Sequence, residues 1–187
     1  MEQKSKHGLG MDAQVERRAG IMPKIKLGDL FLVECFDKHG NLKWRDTIKN
    51  LVVNDGLDDA LDKYFKGSSY TAAHYVGLTA GTPNFQAADD MTTHAGWTEV
   101  TAYDEANRQT ATWGSVSSQS VDNSASKAAF TISTNSTTVG GAFLCTDNTK
   151  GGTSGTLYGG GAFSGGDKSL DDDDVLNVTV TASASAS

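Results

Sequence analysis

Hydrophobic and polar residues alternate in short bursts along most of this chain, and each burst ends at Gly, Asn, Asp or Ser. Leu30-Phe31-Leu32-Val33-Glu34-Cys35-Phe36 predicts a strand, and Asp37-Lys38-His39-Gly40-Asn41 a turn in which Gly40 can take positive φ. Leu42–Ile48 then runs back with alternating character, so the pair predicts a β-hairpin. Further strands are predicted over His74–Thr79, Thr98–Tyr103, Gln109–Val116, Lys127–Ser133, Thr138–Cys145, Gly155–Phe163 and Val175–Thr181. Ala128, Phe130 and Ile132 share one face of their strand. Leu176, Val178 and Val180 alternate with Val175, Asn177 and Thr179 in theirs.

One segment departs from period two. Leu57, Leu61, Tyr64 and Phe65 recur at a spacing of three to four residues, which predicts a short α-helix over about 54–66. Asn54 is the expected N-cap, with Asp55, Asp58 and Asp59 in the first turn, where the helix dipole favours them, and Gly67 just past the end. The acidic face of Asp58, Asp59 and Asp62 is expected in solvent, and the helix is expected to plug one edge or end of the sheet. The predicted fold is mainly β: an antiparallel β sandwich, jelly-roll-like, with this one helix and an extended N-terminal arm. Residues 1–26 form the basic arm, 27–181 the β-rich domain, and 182–187 a flexible Ala-Ser tail.

Composition narrows the function. With 187 residues, 37% hydrophobic residues and 21 glycines, the chain suits one loop-rich β domain rather than a helical bundle. The net charge of −7 is uneven: Lys4, Lys6, Arg17, Arg18, Lys24 and Lys26 outnumber Glu2, Asp12 and Glu16, so residues 1–26 carry +3 and the rest −10. An acidic body argues against nucleic acid as the partner, because phosphate binding needs a concentrated basic face. The basic arm suits an acidic neighbour, including a second copy of the chain. No stretch approaches the ~20 apolar residues of a membrane span, and the first residues lack a signal-peptide core. Cys35 and Cys145 have no metal or redox spacing and are expected to be free, buried thiols made in the cytoplasm.

Candidate chemistry is sparse. The acidic run Asp171–Asp174 lacks EF-hand spacing and reads as a solvated turn that discourages edge pairing rather than a cation site. Asp104 and Glu105, with Arg108 nearby, form a possible acid–base pair, but carboxylates in a turn more often accept backbone N–H bonds or pair with Arg. The glycines at 151–155 and 159–161 match no phosphate-binding fingerprint and read as a hairpin turn and a closely packed strand. Trp97, Tyr103 and Trp113 could line a sugar-binding face, with core packing the favoured alternative, most strongly for Trp113. We therefore expect no catalytic residues, no metal and no cofactor. Long loops often carry function, so Asp89, Asp90, His94 and Trp97 of the loop Pro83–Gly96 and its border join the six basic arm residues as candidate partner-binding positions.

Several segments taken together carry a resemblance. They are Lys49-Asn50-Leu51-Val52-Val53-Asn54-Asp55-Gly56-Leu57, His74-Tyr75-Val76-Gly77-Leu78, Glu99–Arg108, Val121–Ala125, Gly141-Ala142-Phe143-Leu144, Thr156-Leu157-Tyr158 and Asp174–Thr179. In this order, over roughly residues 27–181, the chain resembles a group of tailed-bacteriophage structural proteins of the decoration, cement or tail-fibre-associated type. The resemblance implies a virion protein, made in the host cytoplasm, that binds the major capsid protein or other virion proteins and stabilises the capsid without catalysis. The alternative it leaves is a tail or tail-fibre-associated protein contacting other virion parts or host glycans. A homo-oligomer is expected, and a trimer would match the symmetry of an icosahedral lattice.

Overall fold

The computed structural model describes residues 25–69 and 73–186. Lys4, Lys6, Arg17, Arg18 and Lys24, and with them nearly all of the predicted arm, lie outside the described residues. Two antiparallel sheets stack as a β-sandwich, with a single short helix among the described residues. In the first sheet, β1 (Ile25–Phe36) lies between β2 (Leu42–Lys49) and β13 (Val175–Ala186). The other side of β13 pairs with β8 (Ala128–Thr131) along Val175–Val178 and with β7 (Ser120–Asp122) along Thr181–Ser183. The second sheet runs β3 (Leu51–Val52), β11 (Leu157–Ala162), β10 (Gly141–Cys145), β4 (Tyr75–Ala80), with β5 (Thr98–Glu99) and β6 (Gln109–Thr110) both on the far side of β4. A ribbon of β9 (Thr137–Val139) and β12 (Lys168–Leu170) completes the strands.

The main core follows the predicted alternation. Phe31, Val33 and Cys35 of β1 and Leu176, Val178 and Val180 of β13 are fully buried, facing Val76, Leu78, Ala142 and Leu144 of the second sheet. Ala128, Phe130 and Ile132 add to the same layer. The edge strand β2 carries Lys43, Arg45 and Lys49 exposed along it, which discourages pairing with another sheet.

A second apolar cluster lies on the outer face of the second sheet. The loop between β4 and β5 folds over that face and buries Phe85, Met91 and Trp97 against Val53, Phe143, Cys145 and Leu157. Glycine makes this possible: a Cβ at Gly160 would overlap the Phe85 ring, and one at Gly77 the Phe143 ring. The second sheet is thus covered on both faces.

Several predicted boundaries move. Thr98–Tyr103 and Gln109–Val116 shorten to strands of two residues each, with Tyr103 set apart in an isolated bridge to Ile132. Thr138–Cys145 divides at Gly140 into β9 and β10, which belong to different sheets. The Ala-Ser end is not a fraying tail: β13 continues to Ala186, paired with Ile25–Asp29. Small alternating side chains extend easily when a partner strand supplies the bonds.

The helix α1 (Asn54–Tyr64) is where expected, but two details change. Val53 is the N-cap, and no side chain caps the first turn; Asp55 instead accepts a bond from the Leu157 N–H at 2.8 Å. The face of Leu61, Tyr64 and Phe65 is also not packed on the sheet. These residues are 56, 74 and 76% exposed, whereas Gly56 is the buried residue of α1, pressed against the backbone of Leu157 and Tyr158. The first turn is the anchor, Asp59 is held by the Tyr158 hydroxyl, and the apolar stripe at the far end faces solvent.

Candidate functional site

The inward row of β1 runs Phe31, Asp29, Leu27, opposite Val180, Ala182 and Ala184 of β13. Beyond Val180 that row of β13 shrinks to alanines, so the two sheets are not filled at this end. A cavity of about 500 Å³ opens there between the β1–β13 ribbon, α1 and the second sheet. Ala60 and Tyr64 of α1, Leu144 and Tyr158 form the opposite wall, and Trp113, Val116 and Val121 form a lip.

Few polar groups enter this groove, and each has a defined state. The Asn50 amide donates to Asp29 Oδ2 at 2.9 Å. Burial pushes the Asp29 carboxyl up to about 6, against the opposing pull of that amide. Trp113 donates its indole N–H to His74 Nδ1 at 3.1 Å. An indole nitrogen only donates, so Nδ1 is bare and the ring proton sits on Nε2. Burial lowers the His74 pKa, with the Asp59 carboxylate opposing. The Tyr158 ring meets His74 edge-on at 4.9 Å, its hydroxyl donates to Asp59, and Lys63 lies 3.8 Å from Asp59. The lining serine hydroxyls are spent on backbone: Ser183 donates to the Gly28 carbonyl at 3.1 Å and Ser120 to that of Ala182 at 3.3 Å. The groove suits an apolar group whose positive or N–H-bearing end meets Asp29.

The loop residues singled out from sequence come together, but inward. The Asp89 carboxylate is buried and accepts from Trp97 Nε1 at 3.3 Å and from the Gln86 N–H at 3.0 Å. Trp97 is 5% exposed, stacked between His94 at 3.7 Å and Phe85 at 5.0 Å. His94 Nδ1 donates to the Trp97 carbonyl at 3.1 Å, and Asp90 accepts from the Thr92 and Thr93 N–H groups. These four side chains fasten the loop to the sheet, which leaves Asp89 and Trp97 with almost no surface for a partner. Lys26 is exposed at the start of β1. Tyr103 is buried with Trp97, so of the three aromatic candidates Trp113 alone borders the groove, the reverse of the expected order for the two tryptophans.

The remaining candidates resolve into structural roles. Arg108 pairs not with Asp104 or Glu105 but with Glu99, through bonds of 2.9 and 2.7 Å, and also donates to the carbonyls of Asp147 and Gly152. Glu105 accepts the Thr131 N–H. Asp174 is buried and receives Lys43 at 2.6 Å, while Asp171, Asp172 and Asp173 are exposed. Among the described residues no group of three or more His, Cys, Asp or Glu side chains is placed to hold a metal ion. Cys35 and Cys145 are free and buried, and burial pushes their thiols up to about 12 and about 11.

Sequence reasoning missed the groove residues Asp29 and His74 and the Asn50 amide that holds Asp29. The one available signal was the drop from Val180 to Ala182 and Ala184 on a single strand face. No family model, no curated protein and no solved structure matches this chain.

Proposed function

We propose that this protein is a non-catalytic structural component of a tailed-bacteriophage particle that binds the outside of the capsid and reinforces it. The observation that carries the reading is the exposed apolar end of α1, where Leu61, Tyr64 and Phe65 stand beside the groove instead of packing on the sheet. Large aromatic side chains presented together on a rigid element are what protein interfaces use as anchors. Polar side chains of the kinds that serve catalysis are engaged in structural bonds: Arg108 with Glu99, Glu105 with backbone, His74 Nδ1 with Trp113. The resemblance of residues 27–181 to phage structural proteins supplies the partner class, the major capsid protein or its neighbours in the virion.

The test is co-sedimentation of the purified protein with particles that lack it. The variant Leu61→Glu/Phe65→Glu alters exposed positions, so it should melt like the wild type yet lose at least about tenfold in particle affinity. Equal binding by wild type and variant removes α1 from the interface, and no binding by either removes the capsid as partner.

A further inference from the structure

Three features converge at the open end of the sandwich. Along Ile25–Asp29, β1 pairs with β13 on one side, whereas β2 joins β1 only from Leu30 onward. Among the described residues, no strand pairs with the other edge of Ile25–Asp29, whose backbone groups offer a template for strand addition. Beneath that edge lies the groove, with its apolar floor of Leu27, Ala182 and Ala184. The lining carries one carboxylate, Asp29, and one cation, Lys63, which faces Asp59 at 3.8 Å, and Asp55, Asp58, Asp59 and Asp62 make the neighbouring helix α1 acidic.

One kind of occupant meets all three features. It is an extended segment whose backbone pairs with the free edge, whose alternate apolar side chains enter the groove, and whose Lys or Arg residues meet the carboxylates. This chain carries such a segment. Residues 1–24 hold Lys4, Lys6, Arg17, Arg18 and Lys24 together with Leu9, Met11, Val15, Ile21 and Met22, against a body of net −9 over residues 25–187. We infer that the groove receives the basic N-terminal segment of a second copy of this chain, added as a strand beside Ile25–Asp29. The inference deepens the assembly reading above by naming a partner for one surface. Its test uses no particle, so the two fail separately.

The measurement is the mass of the full-length protein by light scattering across salt concentrations. The wild type should self-associate at low salt and dissociate as salt rises. Ala184→Leu fills the groove, Asp29→Asn removes its charge, and Arg17→Glu/Arg18→Glu reverses the segment. Each should weaken self-association by about tenfold or more. Asp29→Asn and the arm variant leave the core untouched, so the test stands even where Ala184→Leu misfolds. Mixing Asp29→Asn with the arm variant decides the topology: an intact segment on one molecule meets an intact groove on the other, and a one-to-one pair forms. A wild type that stays monomeric, or association indifferent to both groove variants, overturns the inference. A mixture that fails to pair, while both variants fail alone, overturns the second-copy assignment.

Discussion

Arg108 is the largest side chain fully removed from solvent, and its guanidinium meets Glu99, two backbone carbonyls and the face of Phe143 at 5.2 Å. Removing one member of such a pair strands the other charge in the interior. Glu99→Gln should therefore cost about 3–5 kcal/mol in urea unfolding, and a loss below about 1 kcal/mol would mean that the carbonyls alone satisfy Arg108. Asn123 is also fully buried: its side chain accepts the Val180 N–H at 2.7 Å and donates to the Val178 carbonyl, bridging the gap between β8 and β7 along β13. Asp29 and His74 give the fold opposite responses to acid. Because Asp29 titrates higher in the fold than the ordinary 3.8, its contribution is full below that value and is lost as pH rises through about 6. His74 is held below 6.5, so its contribution is full above 6.5 and is lost as pH falls through the depressed value. Asp29→Asn should be more stable than wild type at pH 7 by about 1–3 kcal/mol and match it near pH 4. Equal melting at pH 7 would show that Asp29 is not penalised by burial.

At the scale of elements, the hairpin β1–β2 and the strands β8 and β13 are legible in the sequence because their alternation coincides with one buried face, and β4, buried on both faces, is legible as a short apolar run. β5 and β6 are placed correctly at their starts but predicted too long, and β7 is not legible, because two or three residues of pairing impose no period. α1 is legible as a helix, yet its contact is misassigned, since Gly56 rather than the apolar stripe touches the sheet. The long loop after β4 is legible as a loop, and within it Trp97 and Asp89 serve its own fastening. Gly160→Ala tests that fastening. The new methyl displaces Phe85, which should cost about 1–3 kcal/mol and expose the 81–97 segment to limited proteolysis; unchanged cleavage would contradict the packing. Deleting 182–186 should release the far half of β1 as well, seen as faster amide exchange over 25–29, because the two segments pair residue for residue. Unaltered exchange there would show that β13 does not hold the ribbon.

Over the described residues the molecule is a sandwich closed by its loop on one face and open at one end. The groove was not legible in sequence, because it forms where two strand ends, a helix and the 113–121 stretch meet, and only the fold brings them together. The open end and the exposed tip of α1 lie side by side, so one surface can serve both a capsid partner and a second copy. Imaging of the intact particle tests the central proposal most directly. The account predicts this protein in hundreds of copies on the outer capsid, with α1 and the open end of the sandwich against the lattice or a neighbouring copy. A bare capsid, with the protein absent or confined to a few copies at the tail, would contradict it.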